Sequence, residues 1–184
     1  MNGTTGVLEQ KLRRFFAMLD LDGDGRLTED DALAIADRLA AAFDVQDTAK
    51  ITRLRSALSD FWRKDLAIMA ADGSGSVNVS EFVAGMPKAL GNDRAGVLER
   101  LTAMVAGWMD IADTDGNGLI DEDEYVTMFS KTVGASPADL KVAFAKLDRD
   151  GNGTLDREEI RRATEEYGTS EDPQAPGNWL LGPL

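Results

Sequence analysis

The stretch "DTDGNGLIDEDE", Asp113–Glu124, decides how this chain folds. Oxygen-bearing side chains stand at positions 1, 3 and 5 (Asp113, Asp115, Asn117), and Gly118 follows at position 6. Position 8 is apolar, Ile120, and carboxylates return at positions 9 and 12 with Asp121 and Glu124. Acidic and amide groups at this density bury nothing as a strand or a helix face, and glycines weaken both. The stretch therefore reads as a loop that gathers oxygens around a centre. Its spacing recurs in "DLDGDGRLTEDD" (Asp20–Asp31), "AADGSGSVNVSE" (Ala70–Glu81) and "DRDGNGTLDREE" (Asp148–Glu159). All four segments carry glycine at position 6 (Gly25, Gly75, Gly118, Gly153) and an apolar residue at position 8 (Leu27, Val77, Ile120, Leu155).

The chemistry that needs such a loop is the binding of a hard divalent cation. Calcium takes six to eight oxygens at about 2.3–2.6 Å, and a twelve-residue loop supplies them from positions 1, 3, 5, 7, 9 and 12. Position 7 contributes a backbone carbonyl, position 9 often acts through water, and a glutamate at position 12 closes the shell with two oxygens. The third loop offers Asp113, Asp115, Asn117, the Leu119 carbonyl, Asp121 and Glu124. The fourth offers Asp148, Asp150, Asn152, the Thr154 carbonyl, Asp156 and Glu159. Both match the EF-hand pattern D-x-[DN]-x-[DN]-G-x5-E outright.

The other two loops depart from it. The first supplies Asp20, Asp22, Asp24, the Arg26 carbonyl and Thr28, but closes with Asp31 in place of glutamate. The shorter side chain makes bidentate closure harder, so magnesium is expected to compete best here. The second loop begins with Ala70 where a carboxylate is needed, and keeps only Asp72 and Glu81 as acids. It is expected to hold no calcium and to serve as the structural partner of the first.

The flanks carry apolar residues at helical spacing, as in Leu8, Leu12, Phe15, Phe16 and Leu19 before the first loop. "SPAD" reads as a helix start, with Ser136 as cap and Pro137 at the first helical position. Pro87 is expected to end the helix after the second loop. Helix–loop–helix units cannot bury their apolar faces alone, so Leu27 should meet Val77 and Ile120 should meet Leu155. The expected fold is all-α, with four such units in two paired lobes packed into one compact domain. The lobes are assigned to residues 1–90 and 91–168, with "ALGNDRAG" (Ala89–Gly96) at the boundary. A tail, 169–184, is expected to fold back and insert Trp179 and Leu180 between the lobes.

Composition narrows the function classes. With 43% hydrophobic and 29% charged residues, the 184-residue chain has the makeup of a globular domain. A formal net charge of −13 disfavours nucleic acid and anionic membrane as partners and favours cations. There is no cysteine and no histidine, which removes thiolate ligands, imidazole ligands and the commonest general base. No apolar leader or membrane-length segment is visible, so a cytoplasmic location and a monomer are the expectations. Calcium ions are the expected partner, at three sites; whether a protein partner exists is left open.

Four such units, a degenerate second loop and the tail "EDPQAPGNWLLG" (Glu171–Gly182) resemble the sarcoplasmic calcium-binding proteins. Among them the likeness is to the prokaryotic, calerythrin-like relatives. The resemblance implies two EF-hand pairs packed face to face, with ions at the first, third and fourth loops. Its matching residues are Asp20, Asp22, Asp24 and Asp31; Asp113, Asp115, Asn117 and Glu124; and Asp148, Asp150, Asn152 and Glu159. Two functions fit: a calcium buffer or transporter, or a sensor that exposes an apolar groove and binds a target. Similar EF-hand proteins hold a luciferin with the help of histidine, which this chain lacks, and catalysis is not expected.

Overall fold

The structure, a computed structural model, describes residues 6–70 and 73–182. Among these, seven α-helices flank the four loops, confirming the all-α architecture. The first pair comprises α1 (Val7–Leu19), β1 (Arg26–Leu27), α2 (Glu29–Ala42), α3 (Thr48–Phe61), β2 (Val77–Asn78) and α4 (Val79–Ala112). The second comprises β3 (Ile120–Asp121), α5 (Glu122–Val133), α6 (Pro137–Leu147), β4 (Thr154–Leu155) and α7 (Arg157–Thr169), entered from α4.

Each pair is held at its loops by a two-residue antiparallel ladder. Leu27 stands opposite Val77 and Ile120 opposite Leu155, the pairs of position-8 residues foreseen from the repeat. All four are buried, so each ladder also carries apolar side chains into the core. The exit helices share one start. The side chains of Thr28, Asn78, Asp121 and Asp156 accept from backbone N–H groups one turn on, and the position-12 acid returns a bond to the cap's own N–H. This reciprocal capping satisfies helix-end donors that would otherwise be orphaned. Ser136 and Pro137 stand at the cap and first position of α6.

Two expectations need correction. Pro87 does not stop its helix: α4 runs on through it, and Pro87 lies on the exposed face. The carbonyl one turn earlier, deprived of its N–H partner, can then turn to water. The break comes at Asp93, whose φ of −145° and ψ of 67° leave the helical region. Its side chain accepts from the Gly96 N–H at 3.0 Å, restarting the helix as a new cap. The tail also differs in detail. Leu180 and Leu181 are the buried pair, and Trp179 is only half-buried.

The approach to the second loop is irregular, with a π-turn at Trp62–Leu66 and a 3-10 turn at Ala67–Met69. A buried ion pair fixes it: Arg100 on α4 donates through Nη2 to Asp65 Oδ1 at 2.7 Å and through Nε to Oδ2. Two parallel bonds satisfy the Asp65 carboxylate, which burial would otherwise penalise.

Candidate metal centres

The two complete loops have matching internal geometry. Asp113 Oδ1 accepts from the N–H groups of Gly116 and Asn117 at 2.8 and 3.1 Å, and its Oδ2 from Gly118 at 2.9 Å. Asp148 repeats this with Gly151, Asn152 and Gly153 at 2.9, 3.1 and 3.0 Å. Gly118 and Gly153 sit at φ of +80° and +85°, a left-handed conformation that side chains with a Cβ resist. The turn wraps the chain round the first carboxylate, and Asp115 and Asp150 are drawn in beside it. Asn117 Oδ1 accepts from the Leu119 N–H at 2.7 Å, and Asn152 Oδ1 from Thr154 N–H at 2.8 Å.

The position-12 glutamates close these loops from the far side. Glu124 Oε1 accepts from the N–H of Thr114, at position 2, at 2.7 Å, while its Oε2 accepts from the cap N–H of Asp121 at 3.2 Å. Glu159 bridges Arg149 N–H and Asp156 N–H in the same way, at 2.8 and 3.2 Å. Each glutamate thus spans from the start of the exit helix to the start of its loop. Carboxylate oxygens of Asp113, Asp115 and Glu124 lie within 4.8 Å of one another, and so do those of Asp148, Asp150 and Glu159.

The first loop gathers a different set. Oxygens of Asp20, Asp22 and Asp24 come within the same 4.8 Å, but Asp31 is not among them. Asp31 Oδ2 accepts from Thr28 N–H at 2.9 Å and from Thr28 Oγ1 at 2.7 Å. Its shorter side chain stays with its own helix cap. Asp20 Oδ2 accepts from Gly25 N–H at 3.0 Å, whereas Asp20 Oδ1 is buried and meets no protein donor. A buried carboxylate oxygen without a donor calls for a cation or an ordered water. Arg26 and Thr154, whose carbonyls are the expected position-7 ligands, open β1 and β4, and Leu119 directly precedes β3.

All three groups consist of oxygen donors alone. That donor set suits calcium and magnesium and does not suit soft transition metals. Of the second loop, residues 71 and 72 lie outside the described residues, including the expected Asp72. The Ser74 hydroxyl there donates to the Ser76 carbonyl at 3.1 Å, and Glu81 Oε2 accepts from the Asn78 N–H at 3.0 Å.

Reading the sequence did not single out the anchoring of the tail. Lys11 on α1 is fully buried, and its Nζ donates to Glu166 O, Ser170 O and Asn178 Oδ1 at 2.9, 2.7 and 3.0 Å. Arg14 donates twice to Leu181 O, at 3.1 and 2.7 Å. Tyr125 OH, adjacent to Glu124, donates to Trp179 O and Leu180 O at 3.1 and 3.3 Å. Burial pushes the Tyr125 phenol above its ordinary range, so it stays protonated as a donor. Gly177 lies so close to α7 that a Cβ there would come within 2.5 Å of Glu166 Cβ and 2.7 Å of Ala163 O. The signal for Lys11 was present: it sits four residues before Phe15, on the apolar face of α1.

Comparison with known proteins agrees with this geometry. The EF-hand domain family matches residues 139–168, and the EF hand family matches 12–31 and 104–130. Calerythrin of Saccharopolyspora erythraea is 26% identical over 169 residues, covering 89% of this chain and 93% of its own. A calcium-binding protein of Streptomyces coelicolor, solved for its part in calcium-mediated regulation, superposes with a TM-score of 0.75 at 25% identity. That superposition covers 88% of this chain and 98% of the Streptomyces protein. The photoprotein clytin superposes with a TM-score of 0.75 at 26% identity, covering 94% and 92% of the two chains. The chain carries EF-hand domains and, as a whole, resembles the calerythrin-like family.

Proposed function

We propose that this protein is a cytoplasmic calcium buffer or transporter with three ion sites. Asp20, Asp22, Asp24 and Asp31, with the Arg26 carbonyl, hold the first ion. Asp113, Asp115, Asn117 and Glu124, with the Leu119 carbonyl, hold the second. Asp148, Asp150, Asn152 and Glu159, with the Thr154 carbonyl, hold the third. The observation that carries this reading is the convergence of three acidic clusters in loops of one spacing. Three calcium ions would offset six of the thirteen excess negative charges. Relief of that repulsion should make the fold depend on the ion.

The tail favours buffering over sensing. Leu180 and Leu181 cover a small apolar cavity of about 30 Å³ bordered by Met18, Met86 and Met104. A sensor offers a surface of this kind to its target helix. Here Leu180 and Leu181 of the chain itself stand against it, and the tail is pinned by residues of α1, α5 and α7. The second reading, a sensor, draws on those methionines and on the calcium-mediated regulation by the Streptomyces protein.

An apolar fluorescent dye separates the two readings. The full chain should show less than about a twofold rise in dye fluorescence on adding calcium, and a chain lacking Trp179–Leu184 should show a large one. A large calcium-dependent rise in the full chain would favour the sensor instead.

A further inference from the structure

Position 7 is Arg26 in the first loop, Ser76 in the second, Leu119 in the third and Thr154 in the fourth. Only its backbone carbonyl is needed for an ion, so the side chain is free to do something else. In the third loop that side chain is apolar. In the fourth, Thr154 Oγ1 turns back to Asn152 Oδ1 within its own loop, at 2.7 Å. Arg26 instead crosses the ladder. Its Nη2 donates to the Ser74 hydroxyl at 2.8 Å and its Nε to the Ser76 hydroxyl at 2.5 Å.

Those two hydroxyls stand at positions 5 and 7 of the second loop. Ser74 Oγ is the oxygen that would face an ion from position 5, and it accepts from Arg26 while donating to the Ser76 carbonyl at 3.1 Å. That carbonyl is the expected position-7 ligand. One guanidinium, through one serine, therefore engages both of the oxygens an ion would use on this side of the loop. β1 and β2 set the reach: Arg26 stands opposite Asn78, two residues along from Ser76. The loop that lost its position-1 carboxylate to Ala70 is the loop that receives a cation from its neighbour.

We infer that Arg26 is the resident cation of the second loop, held there by the first. The guanidinium takes the place of a metal ion against Ser74 and Ser76, so residues 74–78 of the second loop keep their shape without metal. The same residue lends its carbonyl to the first loop's ion, so Arg26 serves both loops at once. The coupling to the first ion rests on the calcium reading above; the bracing of the second loop does not.

Amide hydrogen exchange on the metal-free full-length protein tests the bracing. In Arg26→Ser, the Gly75 and Ser76 amides should exchange at least about tenfold faster, while Gly153 and Leu155 keep their wild-type rates. Arg26→Lys keeps the charge but loses the fork, and should fall between the two. Second-loop rates within about twofold of wild type in Arg26→Ser, or an equal rise in the fourth loop, would overturn the inference. Calorimetric titration of Ala70→Asp with calcium gives an independent arm. The variant should bind no more calcium than wild type while Arg26 is present. One additional ion bound with Arg26 in place would overturn the inference. Failure of wild type to bind any calcium would instead refute the proposed function and leave the exchange result standing.

Discussion

The first loop and the last two differ at their closing residue by one methylene, and the structure shows what that methylene does. Glu124 and Glu159 each span two tasks: one oxygen caps the exit helix, and the other reaches the N–H at position 2 of the loop. Asp31 performs the capping task with Thr28 and does not join the cluster of Asp20, Asp22 and Asp24. The loops therefore differ in how far the closing ligand is already placed. In the third and fourth, an ion would find its last carboxylate poised. In the first, α2 must move inward, or a water must stand in.

Removing the bridging carboxylate should produce the largest effect. Glu124→Gln or Glu159→Gln takes away a charge and a bidentate closure, and should weaken calcium at that loop by about a hundredfold in calorimetry. If Glu124→Gln cost no more than Asp31→Asn, the distinction between the loops would fail. A smaller effect of opposite sign should come from Asp31→Glu. The added methylene should raise first-loop calcium affinity about tenfold and reduce magnesium competition there. An unchanged affinity would mean that the backbone of the first loop, and not the length of its last side chain, sets its strength.

A third contrast concerns the entry helices. α1, which enters the first loop, carries the buried Lys11, whereas α6 enters the fourth with Leu140, Ala143, Phe144 and Leu147 buried. Burial pushes the Lys11 ammonium down from 10.5 to about 8, against the opposing pull of Glu166 and Glu171. Between those two pH values the unfolded chain binds more protons than the folded one, so this group's contribution to stability rises with pH across the window. Denaturant midpoints measured from pH 7 to 10 should show that rise in wild type and lose it in Lys11→Met. A rise of equal size in Lys11→Met would assign it to other groups.

Much of the fold was legible because a few positions have only one chemical solution. A glycine at position 6 with alternating oxygens specifies the loop turn, and the apolar residue at position 8 specifies its ladder partner. Other features depended on where a residue faces. Pro87 reads as a helix stop in one dimension, but on the exposed side of α4 its missing hydrogen bond can be met by solvent. Trp179 and Leu180 read as the plug, yet the 3-10 turn at Pro176–Trp179 leaves Trp179 half-buried and carries Leu180 inward with Leu181. The bonds that Glu124 and Glu159 accept from the N–H groups of Thr114 and Arg149 involve backbone that has no residue signature, so the sequence pattern could not show them. The cross-loop reach of Arg26 likewise depends on the register of β1 and β2, which a motif read one loop at a time does not contain.

The most direct test of the three-site, unequal-loop reading is calorimetric titration of the full chain with calcium, with and without millimolar magnesium. The expected result is three calcium ions per chain, with two sites little affected by magnesium and one strongly weakened, the weakened site vanishing in an Asp20→Asn variant. Three sites weakened equally by magnesium, or a fourth ion bound by the wild-type chain, would contradict it.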